Sequence, residues 1–241
     1  MPFCHKNKLL FIHIPKTAGK SISLAIFGKA WKPSLGQRNI FNRAAKLFQI
    51  FSASKVSKLL LHGTVDYSFA SQHMTLLELR SLGFLDNKYF KDYVSFSVVR
   101  NPYTRIRSTI NHLFQKIIKP KLGKSSITSE EDLIKAIEIW QDSKPSDHNQ
   151  RALKKSNVDF LLNKYGEISV DHILKFENLN YEWGKFVKNQ KLHCSFKLKH
   201  ITNKSTNLIF PPFEKESARL VSELYKEDFE LLNYDKDYRF L

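Results

Sequence analysis

The sequence predicts an α/β fold, a parallel β-sheet with helices packed on both of its faces in three layers. Short apolar runs alternate with longer stretches whose apolar residues recur at helical spacing. Two of those runs, Leu9 to Ile14 and Tyr93 to Val99, lead almost at once into a helix start, as βα units do. The chain has 241 residues, 42% of them hydrophobic and 26% charged, which suits one soluble globular domain over residues 1–241.

Leu9 to Ile14 reads as a buried strand, and Thr17 to Lys29 as a helix with Ile22, Ala25 and Ile26 at matching spacing. Trp31 to Ser57 is polar, basic and irregular. Leu59-Leu60-Leu61 reads as a second short strand, and Thr75 to Leu82 as a helix stopped by Gly83. Tyr93 to Val99 is a third strand. Asn101-Pro102 then combines a capping side chain with proline at the first helical position. The helix it starts runs towards Pro120, with a stripe of Ile106, Ile110, Leu113 and Ile117. Gly123 to Ser129 is a loop and Glu130 to Trp140 a helix. Ile168 to Phe176 holds one or two strands, and Glu177 to Lys188 and Glu214 to Leu232 read as helices.

Composition excludes several classes. Two cysteines, Cys4 and Cys194, cannot build a disulfide framework or a tetrahedral thiolate metal site. No apolar run approaches the roughly 18 residues of a spanning helix, and the N-terminus lacks a secretory apolar core. A cytoplasmic protein is expected, with peripheral membrane association left open. The net charge is +16, yet the basic residues are spread out with no run of five or more. That argues against a nucleic-acid tail and leaves a pocket for a multiply charged anion.

In open parallel sheets ligands bind beyond the carboxyl ends of the strands. Two strand ends here carry unusual residues. The first is Pro15-Lys16-Thr17-Ala18-Gly19-Lys20-Ser21. Its helix start offers free N–H groups and a favourable dipole to a phosphate. Ala18 and Gly19 permit close backbone approach, Lys16 and Lys20 add charge, and Thr17 and Ser21 add hydroxyls. Gly19-Lys20-Ser21 imitates the end of a Walker A loop. The glycine that loop needs five residues earlier is Ile14 here, and no strand ends in a magnesium-binding aspartate. An ATP-dependent kinase or NTPase is therefore the second reading.

The other place runs from Val98 to Ser108, Val-Val-Arg-Asn-Pro-Tyr-Thr-Arg-Ile-Arg-Ser. Arg100 ends a strand, where a guanidinium can grip a phosphate with two bonds. Ser108 stands nearly opposite the apolar stripe of the helix, so both residues could share one anion. A neutralised arginine and a solvent-facing serine fit the residues equally well.

Together, Phe-Ile-His-Ile-Pro-Lys-Thr-Ala-Gly-Lys-Ser and Phe-Ser-Val-Val-Arg-Asn-Pro-Tyr-Thr-Arg-Ile-Arg-Ser resemble the two cofactor motifs of the carbohydrate sulfotransferases. The resemblance is to the branch with the heparan 2-O- and chondroitin/dermatan sulfotransferases and their bacterial relatives. Gln72 to Arg80 resembles the family's histidine-plus-helix segment, and Ile173 to Leu179 its later strand with a glutamate. Asn203-Lys204-Ser205 and Tyr225 to Tyr234 also fit, while Lys20 departs from the family's more usual small residue.

The resemblance implies a P-loop-like sulfotransferase fold and the donor 3'-phosphoadenosine 5'-phosphosulfate (PAPS), with no metal. It implies that Lys16 through Ser21 hold the 5' group, Lys16 at the leaving oxygen, and that Arg100 and Ser108 hold the 3'-phosphate. The acceptor is then a carbohydrate, anionic or neutral, and not nucleic acid. An alcohol acceptor needs a general base, and histidine suits that role near neutral pH. His73 matches the family's position, with His62 and His148 in reserve and Glu78 or Glu177 as carboxylate alternatives. His13 inside the first strand reads as a satisfied core residue or as one that backs the site without touching substrate. His148 and Arg151, with His62, are candidate acceptor contacts. A non-catalytic nucleotide-binding module is the reading from another class.

Overall fold

The computed structural model describes residues 3–4, 7–27, 73–81, 92–195, 197–199 and 208–239. The readings made above on Trp31 to Ser57, Leu59 to Leu61, His62, Gln72, Asn203 and Ser205 lie outside them. The chain divides into two compact units: Met1–Val99 with Asp159–Ile201, and Arg100–Val158 with Thr202–Leu241. The architecture is mixed α/β.

The first unit contains a four-stranded sheet in the order β1 (Phe3–Cys4), β2 (Leu9–Ile12), β3 (Val94–Val99), β4 (His172–Lys175). β1 is antiparallel to β2, whereas β2, β3 and β4 are parallel, with Phe11 opposite Phe96 and Phe96 opposite His172. β2 is shorter than expected, and the two-residue β1 carries too little pattern to be seen in a sequence. All four residues of β2 are buried, so both faces of the strand are covered.

Alternation sends Leu9 and Phe11 to one face. There they join Phe96, Val98 and Leu174, with Ile22 and Ile26 of α1 (Gly19–Phe27) and Trp183, Phe186 and Val187 of α7 (Leu179–Asn189). The Phe11 and Phe96 rings stack at 4.9 Å between centroids, and Phe186 lies 4.8 Å from Phe96. Asp171 fixes the start of β4 against β3 by accepting from the backbone N–H and hydroxyl of Ser95, at 2.7 and 2.6 Å. The short α2 (Leu76–Ser81) also belongs to this unit.

The second unit is helical. α3 (Pro102–Leu113) starts as the sequence predicts: Asn101 caps it by accepting from the Tyr103 N–H at 2.9 Å, and Pro102 stands in the first turn. The helix does not run uninterrupted to Pro120. A π-helical stretch, Phe114–Ile118, precedes α4 (Lys119–Leu122). In a continuous α-helix the ring of Pro120 would strike the carbonyl of Lys116. The wider π turn lies over that carbonyl and lets the chain pass the proline. Gly123, in the left-handed conformation at φ 72°, closes α4.

Ile106, Ile110, Leu113, Phe114 and Ile118 pack against Leu133, Ala136, Ile137 and Trp140 of α5 (Glu130–Asp142). Ala218 and Val221 of α8 (Lys215–Leu224) join the same core. The long helix expected over Glu214 to Leu232 is broken at Tyr225, which both ends α8 and caps α9 (Lys226–Leu231).

Beyond the break Asp228 is fully buried. Its carboxylate accepts from the Asn157 N–H (2.9 Å) and side-chain amide (2.7 Å) and from the Val158 N–H (2.8 Å). Burial pushes its carboxyl up from the usual range, opposed by the nearby Arg105 and by these donors. Asp228→Ala would leave those donors unpartnered in the interior. Thermal unfolding of the variant is expected to show a loss of about 3–5 kcal/mol, the range for stripping a buried charged group of its partner. A melting temperature within about 2 °C of the parent, under 1 kcal/mol for a chain of this size, would contradict that role.

Candidate active site

β2 delivers the chain to His13, Ile14 and Pro15, all buried, and α1 begins at Gly19. Between them Lys16 (φ 69°) and Ala18 (φ 64°) are both left-handed, while Thr17 is not. Alternating hands turn successive N–H groups toward one side, the geometry of an anion-binding nest. Each left-handed side-chain residue costs of order 1 kcal/mol or more, so the fold imposes this conformation.

The first turn of α1 carries no acidic residue and does carry Lys20. A cation there opposes the helix dipole, and an anion at the same place reverses the sign. Lys16 is half-buried, Lys20 exposed and Ser21 buried. The Thr17 hydroxyl, expected to face a phosphate, donates instead to the Ile14 carbonyl at 2.9 Å and pins the loop. Thr17 therefore offers an anion its backbone.

His73 lies two residues before Thr75, which caps α2. Glu78 accepts from the Thr75 N–H at 2.8 Å, and the Thr75 hydroxyl accepts from the Glu78 N–H at 3.1 Å. His73 Nδ1 is 2.9 Å from the backbone oxygen of His13. A carbonyl oxygen only accepts, so Nδ1 carries the proton in the neutral ring and Nε2 the lone pair. That is the tautomer a base acting through Nε2 requires. The Glu78 carboxylate, the alternative base, is engaged as a helix cap.

The side chain of His13 sits beside this arrangement. Its ring stacks on Phe11 at 5.2 Å and lies 4.4 Å from the His73 ring. Its buried Nδ1 has no hydrogen-bond partner among the described residues, which departs from a satisfied core histidine and leaves the supporting role. A Cβ on Gly19 would lie 1.6 Å from His13 Nε2. Gly19 is not left-handed, so the imidazole, rather than the backbone angle, demands glycine there. Burial, and then the charges of His73 and Lys20, hold the His13 pKa well below its ordinary value.

The unfolded chain takes up a proton near pH 6.5 that the folded chain refuses, so stability falls as pH drops below that value. Unfolding measured from pH 7.5 to 5.5 is expected to show an acidic loss with a slope of up to about 1.4 kcal/mol per pH unit from this residue. That part of the slope should vanish in His13→Asn. A parent and variant with the same pH slope would refute it.

In the second unit Arg100 follows directly on β3. Its Nε donates to the Thr104 hydroxyl at 3.0 Å, and that hydroxyl donates to the Asn101 carbonyl at 3.1 Å. Thr104 and Ser108 are one turn apart, so the guanidinium is drawn to the helix face that bears Ser108. The half-exposed Ser108 hydroxyl has no partner among the described residues. The Asn157 amide donates to the Arg100 carbonyl at 2.9 Å and ties this position to Asp228.

The other two arginines of the motif serve the fold. Arg105 is buried, donates to the Lys155 carbonyl at 2.9 Å and lies over the Tyr225 ring. Arg107 donates to the Pro211 carbonyl at 2.7 Å and covers the Phe213 ring at 4.3 Å.

Each unit thus presents a place suited to a phosphate-like group, and one of them has a histidine in a base-competent tautomer nearby. A family model described as the sulfotransferase family matches residues 1–235. The chain belongs to the sulfotransferase family. No curated protein and no solved structure matches it. The resemblance seen in the two motifs holds at the level of the family, whose members move a sulfuryl group from a donor to an acceptor.

Among the described residues of this sulfotransferase, no helix is long and apolar enough to cross a membrane. Arg151 is exposed in the last turn of α6 (His148–Lys154), and His148 opens that helix. Glu177 is exposed after β4. Thr104, Asn157 and Asp228 were missed by sequence reasoning. Thr104 could have been suspected, being one turn beyond Arg100 and one before Ser108. Nothing local marks Asn157 and Asp228, which lie 71 residues apart.

Proposed function

We propose that this sulfotransferase uses PAPS to sulfate a hydroxyl group of a carbohydrate, with His73 as general base. One observation carries the reading. Arg100, through Thr104, shares a helix face with a Ser108 hydroxyl that no described residue takes, in a chain that also holds an anion nest at Lys16 to Ala18. A donor with two separate phosphate groups explains both features, whereas ATP needs only the nest.

PAPS, when bound, supplies a sulfuryl group attached to a phosphate that leaves with its charge. The backbone of Lys16 through Ser21, with the Ser21 hydroxyl and Lys20, holds the 5' group in a P-loop-like manner. Lys16 neutralises the oxygen that leaves. Arg100 and Ser108 hold the 3'-phosphate, which distinguishes the donor from ATP. His73 Nε2 takes the proton of the acceptor hydroxyl as that oxygen bonds to sulfur.

The reading treats residues 1–241 as one sulfotransferase domain and places it nearest the heparan 2-O- and chondroitin/dermatan branch. The +16 charge supports an anionic sugar as acceptor, with Arg151 and His148 as candidate contacts. Cys4 and Cys194 are not joined in a disulfide, which supports the cytoplasmic part of a cytoplasmic, bacterial setting.

Calorimetry with 3'-phosphoadenosine 5'-phosphate (PAP) and with ATP tests the donor. PAP is expected to bind at least about 100-fold more tightly, since losing one charge-assisted phosphate site costs roughly 3 kcal/mol. Equal affinity, or an ATP preference that depends on magnesium, would favour a kinase or NTPase. PAP binding with no turnover of PAPS on any glycan would leave a non-catalytic nucleotide-binding module.

A further inference from the structure

His13 touches both working parts of the first unit. Through its Nε2 edge it meets Gly19, where the phosphate loop becomes α1. Its ring lies against the His73 ring, and its backbone carbonyl accepts the His73 Nδ1 proton. Packing alone does not account for an imidazole here. An apolar side chain would fill the space without burying a nitrogen that has no partner among the described residues, and such unpartnered groups are rare in native interiors. The residue that retains this liability is also the one that obliges position 19 to be glycine.

We propose that His13 is a positioning residue for the transfer reaction: its ring sets the spacing between the phosphate loop and His73 and so keeps the base in register with the donor. This rests on the reading of His73 as base and of Lys16 to Ser21 as the donor loop. The imidazole is short and flat enough to lie between the two parts, with Phe11 supporting it from below the loop strand. Burial keeps the ring neutral, so the imidazole adds no positive charge of its own beside His73.

The test uses His13→Ala, the closer-shaped His13→Asn, Gly19→Ala and the double variant Gly19→Ala/His13→Ala. Either His13 variant is expected to lower kcat about 10²-fold, the penalty for a misplaced reacting group. PAP affinity should change less than about tenfold, since the nest itself remains. Nitrogen NMR should show the His73 imidazole passing from the Nδ1–H tautomer to a mixture.

Gly19→Ala must displace the ring, so it should be nearly as damaging alone. On the His13→Ala background it should add nothing, because its collision partner is gone. Parent kcat and an unchanged His73 tautomer in both His13 variants would overturn the proposal. A Gly19→Ala defect of the same size with and without the imidazole would overturn it too. Should His13→Ala fail to fold, His13→Asn carries the same readouts. If PAP does not bind the parent, the donor reading falls, while the tautomer and the melting temperatures of the four proteins still decide whether His13 positions His73.

Discussion

Lys16→Ala is expected to lower kcat by about 10²–10³-fold, the loss typical of removing one group that stabilises transition-state charge. The leaving oxygen acquires that charge only as its bond to sulfur breaks, so the effect belongs in kcat and not in acceptor KM. PAP affinity should fall less steeply, because the backbone nest survives the truncation. Lys16→Ala also leaves a residue that tolerates the left-handed conformation poorly. Lys16→Gly separates the two effects: it relaxes the backbone and still lacks the ammonium. Both variants should be equally slow. Normal kcat in Lys16→Gly, with only a raised acceptor KM, would remove Lys16 from the leaving-group role.

His73→Ala is expected to cost roughly two to four orders of magnitude in rate, the usual range for a general base. PAP binding should remain near the parent level. The base works unprotonated, so the parent rate should rise with pH through the titration of His73, and the variant should lose that acidic limb. His73→Asn makes a sharper comparison. Its amide can still donate to the His13 carbonyl, but nothing replaces Nε2. If His73→Asn is as slow as His73→Ala, the lost function is the lone pair. Recovery in His73→Asn would make His73 a structural tie, and the base would be sought elsewhere.

The parts of this architecture that were legible in the sequence are those encoded within a dozen residues. The apolar run before Pro15 gave β2, and Asn101-Pro102 gave the start of α3. The side of α3 that bears Ser108 followed from the spacing of Ile106, Ile110 and Leu113, all buried in the structure. Illegible parts depend on partners distant in sequence. The break at Tyr225 accompanies the burial of Asp228 against Asn157, a tie that no local periodicity reports. The π turn before Pro120 escapes for a different reason: it is a local answer to a steric conflict, and apolar spacing looks much the same across it. At the site, residue chemistry marked Lys16, Arg100 and Ser108 as candidates, and the family resemblance singled out His73 among the histidines. It did not show that the Thr17 hydroxyl turns inward, nor that His13 Nδ1 has no partner among the described residues.

The handedness of Lys16 and Ala18 bears on how this loop can be inherited or transplanted. A glycine-rich phosphate loop adopts its shape at little internal cost and can be moved between scaffolds as a short cassette. Here two side-chain residues occupy conformations they disfavour by of order 1 kcal/mol each. Strand, pinned threonine and imidazole must therefore hold them in place together. A peptide spanning only Leu9 to Phe27 would relax out of that shape. The cradle is a property of the whole first unit, and lineages that alter one of its supports must alter the others in step.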